Sequence, residues 1–68
     1  MRYYIKDGIR MAEPDCADEW MAEIWLLGCD YDGCHTADDL KRLIDELIDY
    51  SQKARECLRD GKFFPSEN

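Results

Sequence analysis

The chain has 68 residues, with 16 acidic and nine basic side chains and a formal net charge of −7. A chain of this length has room for one domain with a thin core, because it buries only about 60% of the surface that it exposes when unfolded. The negative charge disfavours direct binding to nucleic-acid phosphates and favours basic partners. Aromatic, Leu, Ile and Met residues are too frequent for a disordered chain. We therefore predict a single folded domain over residues 1–68, with 62–68 as a C-terminal tail.

No segment contains the run of about 18 apolar residues that a membrane-spanning helix needs. Residues 1–6 also lack the apolar core of a secretory signal peptide. We therefore expect a cytoplasmic chain that does not bind a membrane. Since that compartment is reducing, the four cysteines are predicted to be free thiols or metal ligands rather than disulfides.

An N-terminal β-hairpin is predicted from two short runs of strand-forming residues, 3–5 (YYI) and 9–11 (IRM), which flank Asp7 and Gly8. Both turn residues tolerate a positive φ, as a two-residue hairpin turn requires. Pro14 then ends the second strand, because proline lacks the backbone N–H that strand pairing uses.

Residues 20–27 (WMAEIWLL) fit two structures. As a strand, this segment is apolar on both faces. As a helix, it has Asp15 as a possible cap, acidic residues in its first turn and Gly28 as a stop signal. We predict a third antiparallel strand, because an isolated hairpin is hardly stable in water and a third strand would give the C-terminal helix a sheet to cover. The alternative is a hairpin followed by two helices.

The clearest element is a long helix over residues 36–59. Thr36 and Asp39 resemble a capping box at its start, and residues 60–61 (DG) are a typical stop signal. Two acid-first ion pairs are expected on its polar face, Asp38–Arg42 and Asp49–Lys53. Its apolar stripe consists of Leu40, Leu43, Ile44, Leu47, Ser51, Ala54 and Leu58. The predicted fold is therefore α+β, with a hairpin and a third strand packed on one long C-terminal helix.

This helix carries more apolar surface than a short sheet can cover. It spans roughly 35 Å, whereas an eight-residue strand spans roughly 26 Å. Other large apolar residues also have few places to be buried in so short a chain. We therefore predict a non-enzymatic protein–protein interaction module that self-associates as a homodimer. The predicted partner-binding residues are Trp25, Ile48, Tyr50, Cys57, Phe63 and Phe64.

A small metal-binding module is the first alternative, because zinc prefers thiolate and imidazole ligands. The candidate ligands are Cys16, Cys29, Cys34 and His35. Their spacing departs from the two short Cys-x2-Cys loops of zinc knuckles, and neighbouring side chains at 34 and 35 would diverge. The loop resembles a calcium-binding EF-hand only in part, since glycine occupies the first ligand position. We therefore predict no cofactor, with zinc as the alternative.

Neither catalysis nor direct nucleic-acid binding is predicted. Cys34 and His35 are neighbours in sequence, so they seldom face each other as a nucleophile and its base. The basic residues are interleaved with acidic ones and form no cluster. A further alternative is an acidic decoy or inhibitor of a nucleic-acid-binding protein, with a row of helix carboxylates mimicking phosphates. These carboxylates are Asp38, Asp45, Asp49 and Glu56.

Overall fold

The computed structural model describes residues 1–65 and has an α+β fold. Its elements in chain order are the strands β1 (Arg2–Lys6) and β2 (Ile9–Glu13), helix α1 (Ala17–Gly28), a short 3-10 helix (Cys29–Gly33) and helix α2 (Ala37–Arg59). The α+β class is confirmed, in the alternative form of a hairpin followed by two helices. Of the predicted tail, Ser66, Glu67 and Asn68 lie outside the described residues.

The predicted hairpin is confirmed. β1 and β2 pair antiparallel, from Arg2 opposite Glu13 to Lys6 opposite Ile9, which leaves a two-residue turn. Asp7 and Gly8 form this turn with φ of 54° and 77°. Positive φ at both central residues is the geometry that matches the right-handed twist of paired strands, so the turn residues set the register.

The prediction of a third strand over residues 20–27 is wrong, because this segment lies inside α1. A third strand was predicted so that α2 would have a sheet to cover its apolar stripe. α1 supplies that cover instead, with Trp20, Ile24 and Leu27 recurring on one side at helical spacing. Asp18 and Glu19 lie in the first turn, where acidic residues favour a helix. The apolar residues that a strand would have placed on both of its faces therefore lie on two sides of a helix.

The start of α1 is capped by the C-terminal tail and not by Asp15. Cys16 is the N-cap residue and its side chain makes no capping hydrogen bond. The backbone N–H groups of Ala17 and Asp18 donate instead to the carbonyls of Lys62 and Phe63, at 2.8 and 2.9 Å. These N–H groups would otherwise lack acceptors. The tail thus joins the start of α1 to the end of α2.

A Schellman motif turns the chain out of α2 toward that contact. Gly61 has a φ of 76°, and its N–H donates to the carbonyl of Leu58 at 3.1 Å. The N–H of Lys62 donates to the carbonyl of Cys57 at 2.8 Å. The predicted stop signal is therefore present and works through the left-handed conformation of its glycine.

The start of α2 agrees with the predicted cap in most details. The Thr36 hydroxyl accepts the backbone N–H of Asp39 at 3.1 Å. The Asp39 carboxylate accepts the N–H of His35 at 3.3 Å, one residue earlier than in the usual reciprocal cap. Arg42 pairs with Asp39 at 3.4 Å and not with Asp38 as predicted, because the capping carboxylate also lies within its reach. The second predicted pair, Asp49–Lys53, is present at 3.4 Å.

The core is thin and lies between the two helices. The aromatic rings of Trp20 and Tyr50 have centroids 5.2 Å apart, and the Lys53 ammonium lies 5.1 Å from the Trp20 ring. The described residues measure only 15 Å along their shortest axis. Among them, the buried apolar residues are Cys16, Ala17, Trp20, Leu43 and Ala54.

The backbone of the hairpin lies apart from the backbone of both helices. Within residues 1–65, no Cα atom of β1 or β2 comes within 8 Å of a Cα atom of α1 or α2. Its apolar side chains are consequently exposed, with Ile5 at 76%. No helix in this part of the chain is long and apolar enough to cross a membrane.

Candidate functional site

The two helices lie side by side and antiparallel. At one end of the pair, the start of α1 meets the tail that follows α2, and Trp20 contacts Tyr50. At the other end, Leu27 and Leu43 line one shallow groove. The inward side chains are buried or half-buried. They are Ala17, Trp20, Ile24 and Leu27 from α1, and Leu43, Leu47, Tyr50 and Ala54 from α2.

Four large apolar side chains each follow an inward residue by one position. Met21 follows Trp20, Trp25 follows Ile24, Ile44 follows Leu43, and Ile48 follows Leu47. One residue rotates a helix by about 100°, which carries each side chain from the interface to one side of the pair. Because the two helices are antiparallel, a step of one residue toward the C-terminus leads to the same side of the pair on α1 and on α2. We call this surface, formed by Met21, Trp25, Ile44 and Ile48, the apolar side.

The side chains of the apolar side are well exposed. Their exposed fractions are 57% for Met21, 71% for Trp25, 46% for Ile44 and 52% for Ile48. Trp25 and Ile44 lie toward the loop between the helices, whereas Met21 and Ile48 lie near the middle of the pair. The four therefore form one contiguous patch rather than scattered exposed residues, and contiguous patches mark interaction sites.

The opposite side of the helix pair is charged. The residues that precede inward positions by one are rotated the other way, and most of them are ionic. We call this surface, formed by Glu19, Glu23, Arg42, Glu46 and Lys53, the charged side. Leu26, which precedes Leu27 and is 56% exposed, is an apolar residue on the same side. The charged side needs no cover, because charged side chains on one face of a helix are ordinarily solvated.

The structure separates the six residues predicted to bind a partner. Trp25 and Ile48 lie together on the apolar side. Tyr50 is half-buried against Trp20, and Cys57 is half-buried near the base of the hairpin. The rings of Phe63 and Phe64 contact each other, with centroids 4.4 Å apart, in the tail that caps α1. The remaining members of the patch, Met21 and Ile44, were not among the predicted residues.

The four predicted metal ligands do not converge. Cys16 begins α1, whereas Cys29 follows its last residue, and twelve helical residues separate them. The Cys34 thiol donates to the Asp30 carbonyl at 3.7 Å, and His35 is exposed. In the described part of the chain, the single group of three ligand-type side chains that lie close together is Asp15, Cys16 and Glu19.

That group surrounds the N-terminal ammonium. The Met1 nitrogen lies 2.6 Å from the Glu19 carboxylate and 3.0 Å from that of Asp15. Hydrogen bonds from Glu19 and then Asp15 raise the pKa of the ammonium, and the bond to the ammonium lowers the pKa of Asp15. Burial raises the pKa of the Cys16 thiol, which keeps it protonated. The arrangement is an ion-pair cluster around a cation that the chain itself supplies.

A groove of about 470 Å³ lies at the loop end of the helix pair. Cys34, Asp39 and Arg42 are among its lining residues, and His35 is not. The predicted row of carboxylates lies elsewhere, along the outer edge of α2, where Asp49 is paired with Lys53. All four carboxylates of that row, Asp38, Asp45, Asp49 and Glu56, are exposed.

No known protein family, curated protein or solved structure matches this chain. Fold alone does not determine function, so any function has to be argued from the surface itself. On the helix pair, the apolar side presents four exposed large apolar side chains as one patch, which is unfavourable in water.

Proposed function

We propose that this chain is a non-enzymatic protein–protein interaction module that forms a homodimer through its apolar side. The observation that carries the proposal is the exposure of Met21, Trp25, Ile44 and Ile48 as one patch on a two-helix layer. A helix that is apolar on two sides is normally buried on both. The inward side of α1 is covered by α2, and a second copy would cover the other.

The thin core favours such cover. Cores of chains below roughly 70 to 80 residues rarely supply more than 3–5 kcal/mol, and here only five apolar residues among residues 1–65 are buried. Complete burial of one large apolar side chain gains about 1.5–3 kcal/mol. Four half-exposed side chains from each of two copies would therefore gain on the order of 10 kcal/mol. Association costs at least about 4 kcal/mol. The remainder, on the order of 6 kcal/mol, corresponds to a weak dimer with a dissociation constant of tens of micromolar.

The size of the layer also suits a second copy. At about 1.5 Å per residue and about 10 Å per helix diameter, α1 and α2 together present roughly 500 Å² of flat area on each side. A standard interface buries about 800 Å² of accessible surface per partner, and accessible surface exceeds flat area. Two copies placed apolar side to apolar side would form a four-helix bundle whose charged sides face water.

A substitution on the apolar side tests this proposal. Ile48→Lys places a charge in the patch, and Ile5→Lys makes the same change on the hairpin, which is 76% exposed. We expect Ile48→Lys to weaken dimerisation at least tenfold in sedimentation equilibrium, because it buries an unpaired charge. Ile5→Lys should change the dissociation constant by less than about twofold, and circular dichroism should show both variants folded. A wild-type chain that stays monomeric at high micromolar concentration would exclude the homodimer.

The salt dependence of binding distinguishes the proposed homodimer from the acidic decoy. Two copies with a net charge of −7 each repel, so added salt should strengthen their association. Capture of a basic protein by the carboxylates of α2 should weaken with salt instead. A monomeric chain whose binding to a basic partner disappears at high salt, and also after Asp45→Lys, would favour the decoy.

A further inference from the structure

The charges at the rim of the apolar side select one dimer geometry. This inference rests on the proposed homodimer and adds the orientation of its two copies. Two face-to-face arrangements have twofold symmetry. With the axis along the helices, α1 lies over α2 of the second copy and both hairpins lie at one end. With the axis across the helices, α1 lies over α1 of the second copy and the hairpins lie at opposite ends.

Asp18 and Arg55 carry the charges that distinguish these arrangements. Asp18 follows the inward Ala17, and Arg55 follows the inward Ala54, so the one-residue step places both on the same side as the apolar patch. Both residues are exposed and lie at the hairpin end of the layer. Within residues 1–65, no salt bridge joins either of them to another side chain.

The axis along the helices brings these charges together. α1 of one copy then lies over α2 of the second, with Met21 over Ile48 and Trp25 over Ile44. One turn further toward the hairpin end, Asp18 reaches Arg55 of the second copy, and the symmetry repeats the pair. Two opposite-charge contacts then flank the apolar patch, as is common at the polar rim of an interface.

The axis across the helices offers neither charge a partner. The copies then run in opposite directions, and Asp18 lies over Gly28 of the second copy. Arg55 lies over the first turn of the second copy's α2, where the corresponding residue on the apolar side is Ala37. Neither residue carries a charge, and Asp38, the acidic neighbour of Ala37, lies on the outer edge of α2 and not on the apolar side. This arrangement therefore places no opposite charge over Asp18 or Arg55.

We infer that the chain forms a homodimer whose twofold axis runs along the helices, with Asp18 of each copy paired with Arg55 of the other. Both hairpins then project from the same end of a four-helix bundle. The charge pairs fix the orientation, whereas the apolar side supplies the attraction.

Charge reversal in separate chains tests this inference. In Asp18→Arg homodimers two arginines meet at each rim contact, and in Arg55→Asp homodimers two aspartates meet, so both should dimerise more weakly than the wild type. In a mixture, each heterodimer restores both opposite-charge contacts. Random pairing in an equimolar mixture gives equal amounts of heterodimer and total homodimer. We expect native mass spectrometry to show about ten heterodimers for each homodimer instead.

A matched control pair removes effects of net charge alone. Glu23→Arg and Arg42→Asp both lie on the charged side, and they carry the same charge changes. Their mixture should show the random share of heterodimers. The double variant Asp18→Arg/Arg55→Asp in one chain should dimerise like the wild type. If a reversal prevents folding in circular dichroism, Asp18→Lys and Arg55→Glu make the same test.

The outcomes separate this inference from the proposal on which it rests. A dimeric wild type without excess heterodimer in the Asp18→Arg and Arg55→Asp mixture would overturn the orientation and leave the homodimer intact. A monomeric wild type would overturn both. Equal excess in the control mixture would assign the effect to net charge and also reject the Asp18–Arg55 contact.

Discussion

The apolar and charged sides of the helix pair differ in chemistry although neighbouring residues of the same helices form them. Met21 lies on the apolar side and Glu19 on the charged side, and only the buried Trp20 stands between them. A step of one residue in either direction from an inward position decides which side a residue joins. Charged side chains on a helix face are ordinarily solvated, whereas exposed apolar ones are not favoured in water. In the proposed homodimer a second copy covers the apolar side and the charged side faces water.

The two tryptophans give the largest effect that this comparison predicts. Trp20 is inward and 5% exposed, whereas Trp25 is on the apolar side and 71% exposed. Trp20→Ala should lower the free energy of unfolding by about 3–5 kcal/mol, because it opens a cavity in a thin core. Trp25→Ala should change the stability of the monomer by less than about 0.5 kcal/mol but weaken dimerisation. Circular dichroism and urea denaturation of dilute protein measure the first effect, as loss of most of the folded population of Trp20→Ala, and sedimentation measures the second.

Equal effects of Trp20→Ala and Trp25→Ala would contradict the distinction between the core and the apolar side. Equal destabilisation of the monomer would mean that Trp25 belongs to the core of a single copy. Unchanged dimerisation of Trp25→Ala would remove this residue, and the apolar side with it, from the interface. The stability measurement needs dilute protein, because dimerisation itself stabilises the folded chain.

Substitution of Gly61, the glycine that precedes the tail, should have a smaller effect, and this effect should be on the stability of the single copy alone. Gly61 has a φ of 76°, and a Cβ atom there would meet no other atom within 4 Å. Gly61→Ala should therefore cost roughly 1 kcal/mol through backbone strain alone. Gly28→Ala is the matched control, since Gly28 has helical φ and equal space. It should stabilise the chain by about 0.5–1 kcal/mol.

Dimerisation of the folded Gly61→Ala variant should be unchanged, because Gly61 belongs to neither side of the helix pair. Thermal unfolding monitored by circular dichroism gives the stability difference. A stabilised Gly61→Ala variant would show that the tail does not hold the left-handed turn in solution.

The sequence predicted those elements whose signals are local. Asp7 and Gly8 specify the hairpin turn, and Thr36 with Gly61 specifies the ends of α2, because each residue acts through its own backbone geometry or a bond three residues away. The segment 20–27 could not be assigned in this way. An apolar pattern on two sides fits a buried strand as well as a helix between a neighbour and a partner, and only the packing of α1 on α2 decides.

The same limit applies to the candidate site. Ile48 was predicted because it flanks the stripe of α2, and Trp25 because so short a chain has few places to bury a large apolar residue. Ile44 fits that stripe equally well, and only the position of α1 shows that Leu43 points inward and Ile44 does not. Met21 lies within residues 20–27, which were predicted as a strand, so its position on the same side as Ile48 was not predicted. Met21 and Ile44 could have been predicted if residues 20–27 had been assigned to a helix that packs antiparallel on α2.

The smallest predicted effect is a pH dependence at the edge of the charged side, where Glu19 and Asp15 hold the Met1 ammonium. The pKa of the ammonium is raised above its ordinary 8.0, so its contribution to stability is complete below pH 8 and is lost as the pH rises through the raised value. The pKa of Asp15 is lowered below its ordinary 3.8, so its contribution is complete above that pH and is lost as the pH falls through the lowered value.

Together these two shifts predict a plateau in melting temperature between about pH 4 and pH 8, with a decline on either side. The effect should be small, because both groups are exposed to solvent and exposed ion pairs contribute little. Asp15→Asn should lower the plateau slightly and remove the part of the acid decline due to this carboxylate. Substitutions on the apolar side should leave the profile unchanged in dilute protein, because the titrating groups lie away from that surface. A profile that changes equally with Met21→Lys would mean that the two sides are coupled and that the separation between them is incomplete.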